Sequence, residues 1–271
     1  MTVCIGALCD NGQAVVVAAD KMVTFAAPMS LQMEPPVLKK ITQINDEAVV
    51  LFSGSVADGE EILSATKQQL KGLTNLPTQN VAEAVKTAYI ALKQKRIQET
   101  ILGPLLGADF PKFQTLLAQS ASSQTLQQIL AMVMNHNMQA ETLVAGVDTS
   151  GAHLFAVSHP GVLLPLETMG YGAVGSGGLH AAVRLSLGQQ NKVASILDTV
   201  YNVYEAKRAA EVAPGVGKMT DLAIIKSGKV SFAEAPLFGV LDKTHKEKPS
   251  LTQVEQDELK KACDDCTGTG I

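Results

Sequence analysis

Residues Gly170 to Gly178 read Gly-Tyr-Gly-Ala-Val-Gly-Ser-Gly-Gly and contain the spacing G-x-G-x-x-G. That spacing cradles a pyrophosphate when a hydrophobic strand precedes its first glycine and a helix opens inside the motif, because helix N-terminal N–H groups hold the anion. A second grouping, Cys263-Asp264-Asp265-Cys266, has the C-x-x-C spacing of a metal or redox pair. Zinc needs four ligands, and the histidines at 136, 153, 159, 180 and 245 show no ligand spacing. The cysteine pair therefore reads as part of a solvated tail, and no metal or other cofactor is expected.

The surrounding elements decide what the glycines do. Residues 2–9 and Ala14 to Ala19 read as two antiparallel strands across the turn Asp10-Asn11-Gly12, and Val37 to Ile44 with Ala48 to Phe52 as a second strand pair. Helical spacing follows over Ala57 to Leu70 and Val81 to about Thr100, with Gly103-Pro104 interrupting the second helix. Lys112 to Met138 reads as an additional helical hairpin broken around Ser120 to Ser123, its Met and Leu stripe being packing surface. Leu143 to Val147 and His153 to Ser158 form another hairpin, and Tyr171 to Val174 a short strand. Gly178 to Leu187 and Lys192 to Val212 read as helices, and Asp221 to Lys226 with Val230 to Phe232 as a last hairpin. Strands and helices thus come in blocks, which argues for antiparallel sheets covered by helices and against a parallel βαβ sheet.

In this frame the glycine motif fails as a nucleotide loop. Leu164-Pro165-Leu166-Glu167 ahead of it carries a proline and a charge, the strand lies inside the motif, and the helix opens only after Gly177. The glycines are expected to allow close backbone approach where a strand turns into a helix, with Ser176 presented at the junction. By that reading Ser176→Ala weakens the function and Gly170→Ala does little.

Composition narrows the class. The chain of 271 residues is 46% apolar and 18% charged with a net charge of −4 and no long basic run, so nucleic acid and anionic membrane surfaces are not expected partners. Cysteines at 4, 9, 263 and 266 are too few and too lopsided for a secreted disulfide framework, which points to a reducing cytoplasm. The start has no basic n-region, and the apolar run Ala14 to Ala19 is too short to span a bilayer.

Several blocks then carry a resemblance. Thr2 to Gly6, Asp10 to Gly12, Val17 to Asp20, Lys40 to Ile44, Phe52 to Asp58, Leu143 to Asp148, Tyr171 to Gly177 and Met219 to Ile224, in that order, resemble proteasome β-type subunits and their bacterial relatives. The resemblance covers about residues 2–230. It implies an α+β fold, the four-layer αββα sandwich of N-terminal-nucleophile hydrolases, with a helical insertion at about 103–138 and a charged C-terminal extension over 237–271. The hydrolase domain would span 2–236.

The resemblance also implies a chemistry. Thr2 would be the nucleophile once Met1 is removed, since a free α-amino group on the same residue supplies the base that a threonine hydroxyl needs. Its ordinary pKa of about 7.7–8.0 suits a general base near neutral pH. Asp20 matches the family's buried acid and Lys40 the lysine beside the threonine, although the adjacent Lys39 faces the other way along a strand and only one of the two can point at the site. Gly54 matches the oxyanion donor and Ser176 the serine near the amine, while Phe52 and Val56 match residues of the first specificity pocket. The expected activity is a threonine peptidase or amidohydrolase on peptide or unfolded protein, in a homo-oligomeric ring for which the sequence names no ATPase.

The chain departs from the family in three places. The interval from Gly12 to Asp20 is longer than usual, Asp20-Lys21-Met22 lacks an arginine two places after the aspartate, and Glu211 to Gly217 lacks the family's Asp and Ser. In the last respect, and in its Met-Thr start, the chain looks closer to divergent bacterial homologues of the Anbu type. A catalytically silent ring scaffold and an acyl-transferring variant remain the rival readings.

Overall fold

A computed structural model describes residues 2–24, 31–35, 37–74, 76–120, 123–138, 140–226 and 228–246; Cys263 and Cys266 lie outside the described residues. In chain order the first half contains β1 (Cys4–Cys9), β2 (Ala14–Asp20), β3 (Val23–Thr24), β4 (Gln32–Met33), β5 (Ile41–Gln43), β6 (Ala48–Ser53), α1 (Val56–Gln69), α2 (Thr78–Ile97), α3 (Gly103–Leu106), α4 (Phe110–Gln119) and α5 (Gln124–Asn135). The second half contains β7 (Glu141–Asp148), β8 (Gly151–Ser158), β9 (Val162–Pro165), β10 (Tyr171–Val174), α6 (Gly178–Leu187), α7 (Ile196–Ala210), β11 (Thr220–Lys226), β12 (Lys229–Phe232) and α8 (Ala235–Lys246).

Residues 1–233 form one compact unit and residues from 234 onward another, in which α8 is the described element. The first unit is built on two five-stranded antiparallel sheets, ordered β10-β1-β2-β11-β12 and β5-β6-β7-β8-β9. Every residue of β1 and β2 is buried, as their unbroken apolar runs require of strands covered on both faces. Their connection is a tight turn in which Asp10, Asn11 and Gly12 all have positive φ (54°, 56° and 74°), a conformation that Asn, Asp and Gly tolerate best.

One core lies between the sheets, where Leu8, Val15 and Val17 of the first meet Leu51, Leu143 and Leu154 of the second. The approach is closest at Gly6, where a Cβ would come within 2.6 Å of Leu154 Cδ1. A second core covers the far face of the β6–β7–β8 sheet with Ile62 of α1 and Val81, Val85 and Tyr89 of α2. Helices α6 and α7 pack on the β10–β1–β2 sheet.

Several local differences from the sequence reading have physical causes. Strand β5 is shorter than the expected 37–44: its partner β6 ends at Ser53 and Gly54 turns away with φ 117°, leaving residues 37 and 38 no strand to pair with. Gly103-Pro104 does not interrupt the second helix. The chain stays helical to Leu106 through a π turn over Gln98–Leu102, where the Gly103 N–H reaches back five residues to Gln98 O just before Pro104, which has no N–H to give. The stop comes at Gly107, left-handed at φ 56°, whose N–H donates to Gly103 O at 2.8 Å. Helices α4 and α5 close a satellite core of Ile97, Leu102, Phe113, Leu126 and Ile129. Strand β9 is present in spite of Pro165, because on the sheet edge a proline removes no ladder bond.

Candidate active site

The site forms where strands from both sheets end together. Thr2 precedes β1, Asp20 closes β2, Lys40 precedes β5, Gly54 follows β6 and Ser176 follows β10. Strand register brings three of them into two neighbouring rows. Cys4 pairs with Ala19 and with Val174, so extending both ladders sets Val3 opposite Asp20 and Thr2 opposite Ser176. The Asp20 N–H bonded to Val3 O at 3.3 Å continues the first ladder.

Asp20 is wholly buried and would be costly as a charge without partners. It has five donors. Oδ1 accepts from Val3 N–H at 2.9 Å, from Lys40 Nζ at 2.9 Å and from the Thr2 hydroxyl, while Oδ2 accepts from Met22 N–H and Gly217 N–H, both at 2.9 Å. The Lys40 ammonium has three donors and three acceptors: Thr2 Oγ1, Asp20 Oδ1 and Met22 O at 2.7 Å. The Thr2 hydroxyl thus donates to a carboxylate and accepts from a cation, and of the two it is the Lys40 ammonium that favours the ionised oxygen. The Lys39 Nζ lies 5.5 Å from the centroid of the Phe232 ring.

On the other flank, Thr2 N–H donates to Ser176 Oγ at 3.1 Å, and Ser176 Oγ lies 3.3 Å from Thr2 O and 3.4 Å from Pro214 O. The glycines of the 170–178 stretch explain this closeness. Gly175 has φ 92°, and a Cβ there would meet Thr2 O and, at 2.6 Å, Ser53 Oγ. Gly177 N–H donates to Thr2 O at 3.2 Å just before α6 opens. Gly170 does not fit its expected tolerance of alanine: its φ is 77° and a Cβ would lie 3.2 Å from Lys192 N, so the substitution strains the backbone.

Thr2, Lys39 and Lys40 line a cavity of about 780 Å³ whose wall includes Phe52, Gly54 and Val56. Most of that wall is apolar, and Met138, contributed from beyond α5, closes part of it. Burial pushes the nearby Cys4 thiol up to about 12, against the opposing pull of Lys40, and its Sγ donates to Phe52 O at 3.3 Å. Cys4 is thus no nucleophile.

The sequence reading missed the backbone of Met22, Pro214 and Gly217, which serves Lys40, Ser176 and Asp20. Main-chain groups leave no signature in residue types. Among the described residues, no group of three or more His, Cys, Asp or Glu could hold a metal ion, and no helix is long and apolar enough to cross a membrane.

With this geometry in hand, the chain can be compared with known families. The family described as Proteasome subunit matches residues 2–105, a stretch holding Thr2, Asp20, Lys40 and Gly54 but not Ser176. No curated protein matches the chain. The match supports kinship with the proteasome-like N-terminal-nucleophile hydrolases, a group of peptidases and ring-forming subunits that includes inactive members.

Proposed function

We propose that the chain is an N-terminal threonine peptidase or amidohydrolase with a four-layer αββα fold, and that Thr2 becomes its first residue by removal of Met1. The observation that carries this reading is the Thr2 hydroxyl held between the Lys40 ammonium and the Asp20 carboxylate beside a large apolar cavity.

Thr2 Oγ1 attacks the carbonyl carbon of a bound amide while the Thr2 α-amine takes the hydroxyl proton. Lys40 stabilises the developing alkoxide, and Asp20 fixes Lys40 by charge. The Gly54 N–H donates to the tetrahedral oxyanion, and the lack of a side chain there lets substrate come close. Collapse breaks the C–N bond as the proton passes from the α-amine, with Ser176 Oγ beside it, to the leaving amine. Water, deprotonated by the same amine, then releases the acyl group and restores the hydroxyl. Phe52 and Val56 favour an apolar residue on the acyl side of the cut. The active form is a homo-oligomeric ring.

Intact mass spectrometry before and after treatment with a β-lactone or epoxyketone tests this. The expected result is loss of Met1 and a single adduct on Thr2, abolished in Thr2→Ala. A chain that keeps Met1 and takes no adduct overturns it and leaves the silent-scaffold reading.

A further inference from the structure

A second cavity, of about 300 Å³, meets the first at Gly54 and is lined by Ser53, Glu141, His159, Gly175 and Ser176 among others. Its charged groups differ from its neighbour's. The large cavity holds Lys39 and Lys40 together with Glu60, whereas the small one holds Glu141 and His159. Glu141 opens β7, and its Oε2 accepts the Gly175 N–H at 2.7 Å. Among the described residues, Oε1 has no partner.

Ser176 connects this space to the reaction. Its hydroxyl lines the small cavity and bonds the Thr2 nitrogen at 3.1 Å. In an amide cleaved at Thr2, the acyl half and the amine half leave the reacting carbon in different directions. The apolar cavity suits the first. The half that departs takes up a proton beside Ser176, and the space on that side carries a carboxylate.

We infer that the Glu141 cavity is the leaving-group subsite and that it selects amides whose amine half bears a positive charge, such as a lysine or arginine immediately after the cut bond. The inference rests on the threonine-hydrolase reading above. Its size admits one side chain, and the bonded Glu141 Oε2 leaves Oε1 to meet the cation.

The test uses internally quenched peptides that share one apolar acyl half and differ only in the residue after the cut: Lys, Ala or Glu. The full-length protein is expected to cleave the Lys peptide about fivefold faster in kcat/KM than the Ala peptide, the size of one partly screened ion pair, and the Glu peptide slower still. Glu141→Gln keeps an acceptor for Gly175 N–H and is expected to level the three rates. If Thr2 takes the β-lactone and the peptides are cut without regard to charge, the subsite assignment is wrong while the hydrolase reading stands. If Thr2 takes no adduct and nothing is cut, both fall. Should Glu141→Gln fail to fold, the charge preference of the unsubstituted protein still decides the matter.

Discussion

The Gly217 N–H donates to Asp20 Oδ2 at 2.9 Å, joining the segment before β11 to the end of β2. That segment, Glu211 to Gly217, is where the sequence lacks the Asp and Ser side chains that resembling proteins place near the nucleophile. Here main-chain groups reach the site in their stead, because Pro214 O also lies 3.4 Å from Ser176 Oγ. A backbone N–H does not titrate and cannot rotate away. The buried carboxylate is therefore held by donors that persist at any pH where the fold does.

Lys40 and Lys39 separate in function. Lys40→Gln removes a cation bonded to Thr2 Oγ1 and is expected to lower kcat/KM by about two to three orders of magnitude, the usual cost of an oriented electrostatic group. Lys39→Gln gives up a contact with the Phe232 ring and is expected to stay within about threefold. Steady-state kinetics and the rate of β-lactone labelling check both. Equal losses in the two variants would show that the site needs only positive charge nearby.

Ser176 and Gly170 should part in the opposite sense. Ser176→Ala removes the partner of the Thr2 nitrogen and is expected to lower kcat about tenfold or more with little change in Tm. Gly170→Ala forces a side chain into a left-handed conformation at φ 77°, costing about 1–2 kcal/mol and about 4 °C in Tm, with kcat retained. Thermal unfolding and kinetics on the same samples settle the ranking.

Of the site, the residues themselves gave only Ser176, two places past Val174 where a strand turns into a helix, while Asp20, Lys40 and Gly54 were legible through the resemblance. Strand pairing sets Asp20 opposite Val3 and Ser176 opposite Thr2. Other features depend on what a residue type does not encode. Which of Lys39 and Lys40 meets Thr2 is set by the fold, with Lys40 Nζ bonded to Thr2 and Lys39 Nζ over the Phe232 ring, and the π turn at Gln98–Leu102 turns an apparent breaker into a continuation. Met138, far along the chain, joins the cavity wall through the core it shares with Phe52 and Leu63.

Cys4 should stay silent. With its thiol pushed up to about 12 by burial, alkylation by iodoacetamide in the native state at neutral pH is expected to leave Cys4 unmodified, whereas denaturation exposes it. Peptide mapping of native and unfolded samples reads this directly. An electrophile adduct found on Cys4 in the native protein would remove Thr2 as the reactive residue.

Lys207 anchors the segment that serves Asp20. Its side chain is wholly buried, and Nζ donates to Glu211 Oε1 at 2.7 Å and to Lys218 O at 2.6 Å, the two ends of the stretch containing Pro214 and Gly217. Burial lowers its pKa from the usual lysine value, with Glu211 pulling the other way. The folded chain therefore gives up this proton at lower pH than the unfolded chain does. Between the lowered value and the unfolded value of about 10.4, the unfolded chain binds more protons, so this group makes stability rise with pH. Lys207→Met abolishes that contribution without stranding Glu211, which keeps Arg208 at 3.0 Å. Urea unfolding at about pH 8 and about pH 10 should show a shallower rise in the variant than in the unsubstituted protein. Freed from Lys218 O, the 211–217 stretch should hold Asp20 less firmly, and kcat/KM should fall about tenfold, the equivalent of one lost hydrogen bond to a charged group. An unchanged slope together with unchanged kinetics would show that Gly217 keeps its position without Lys207.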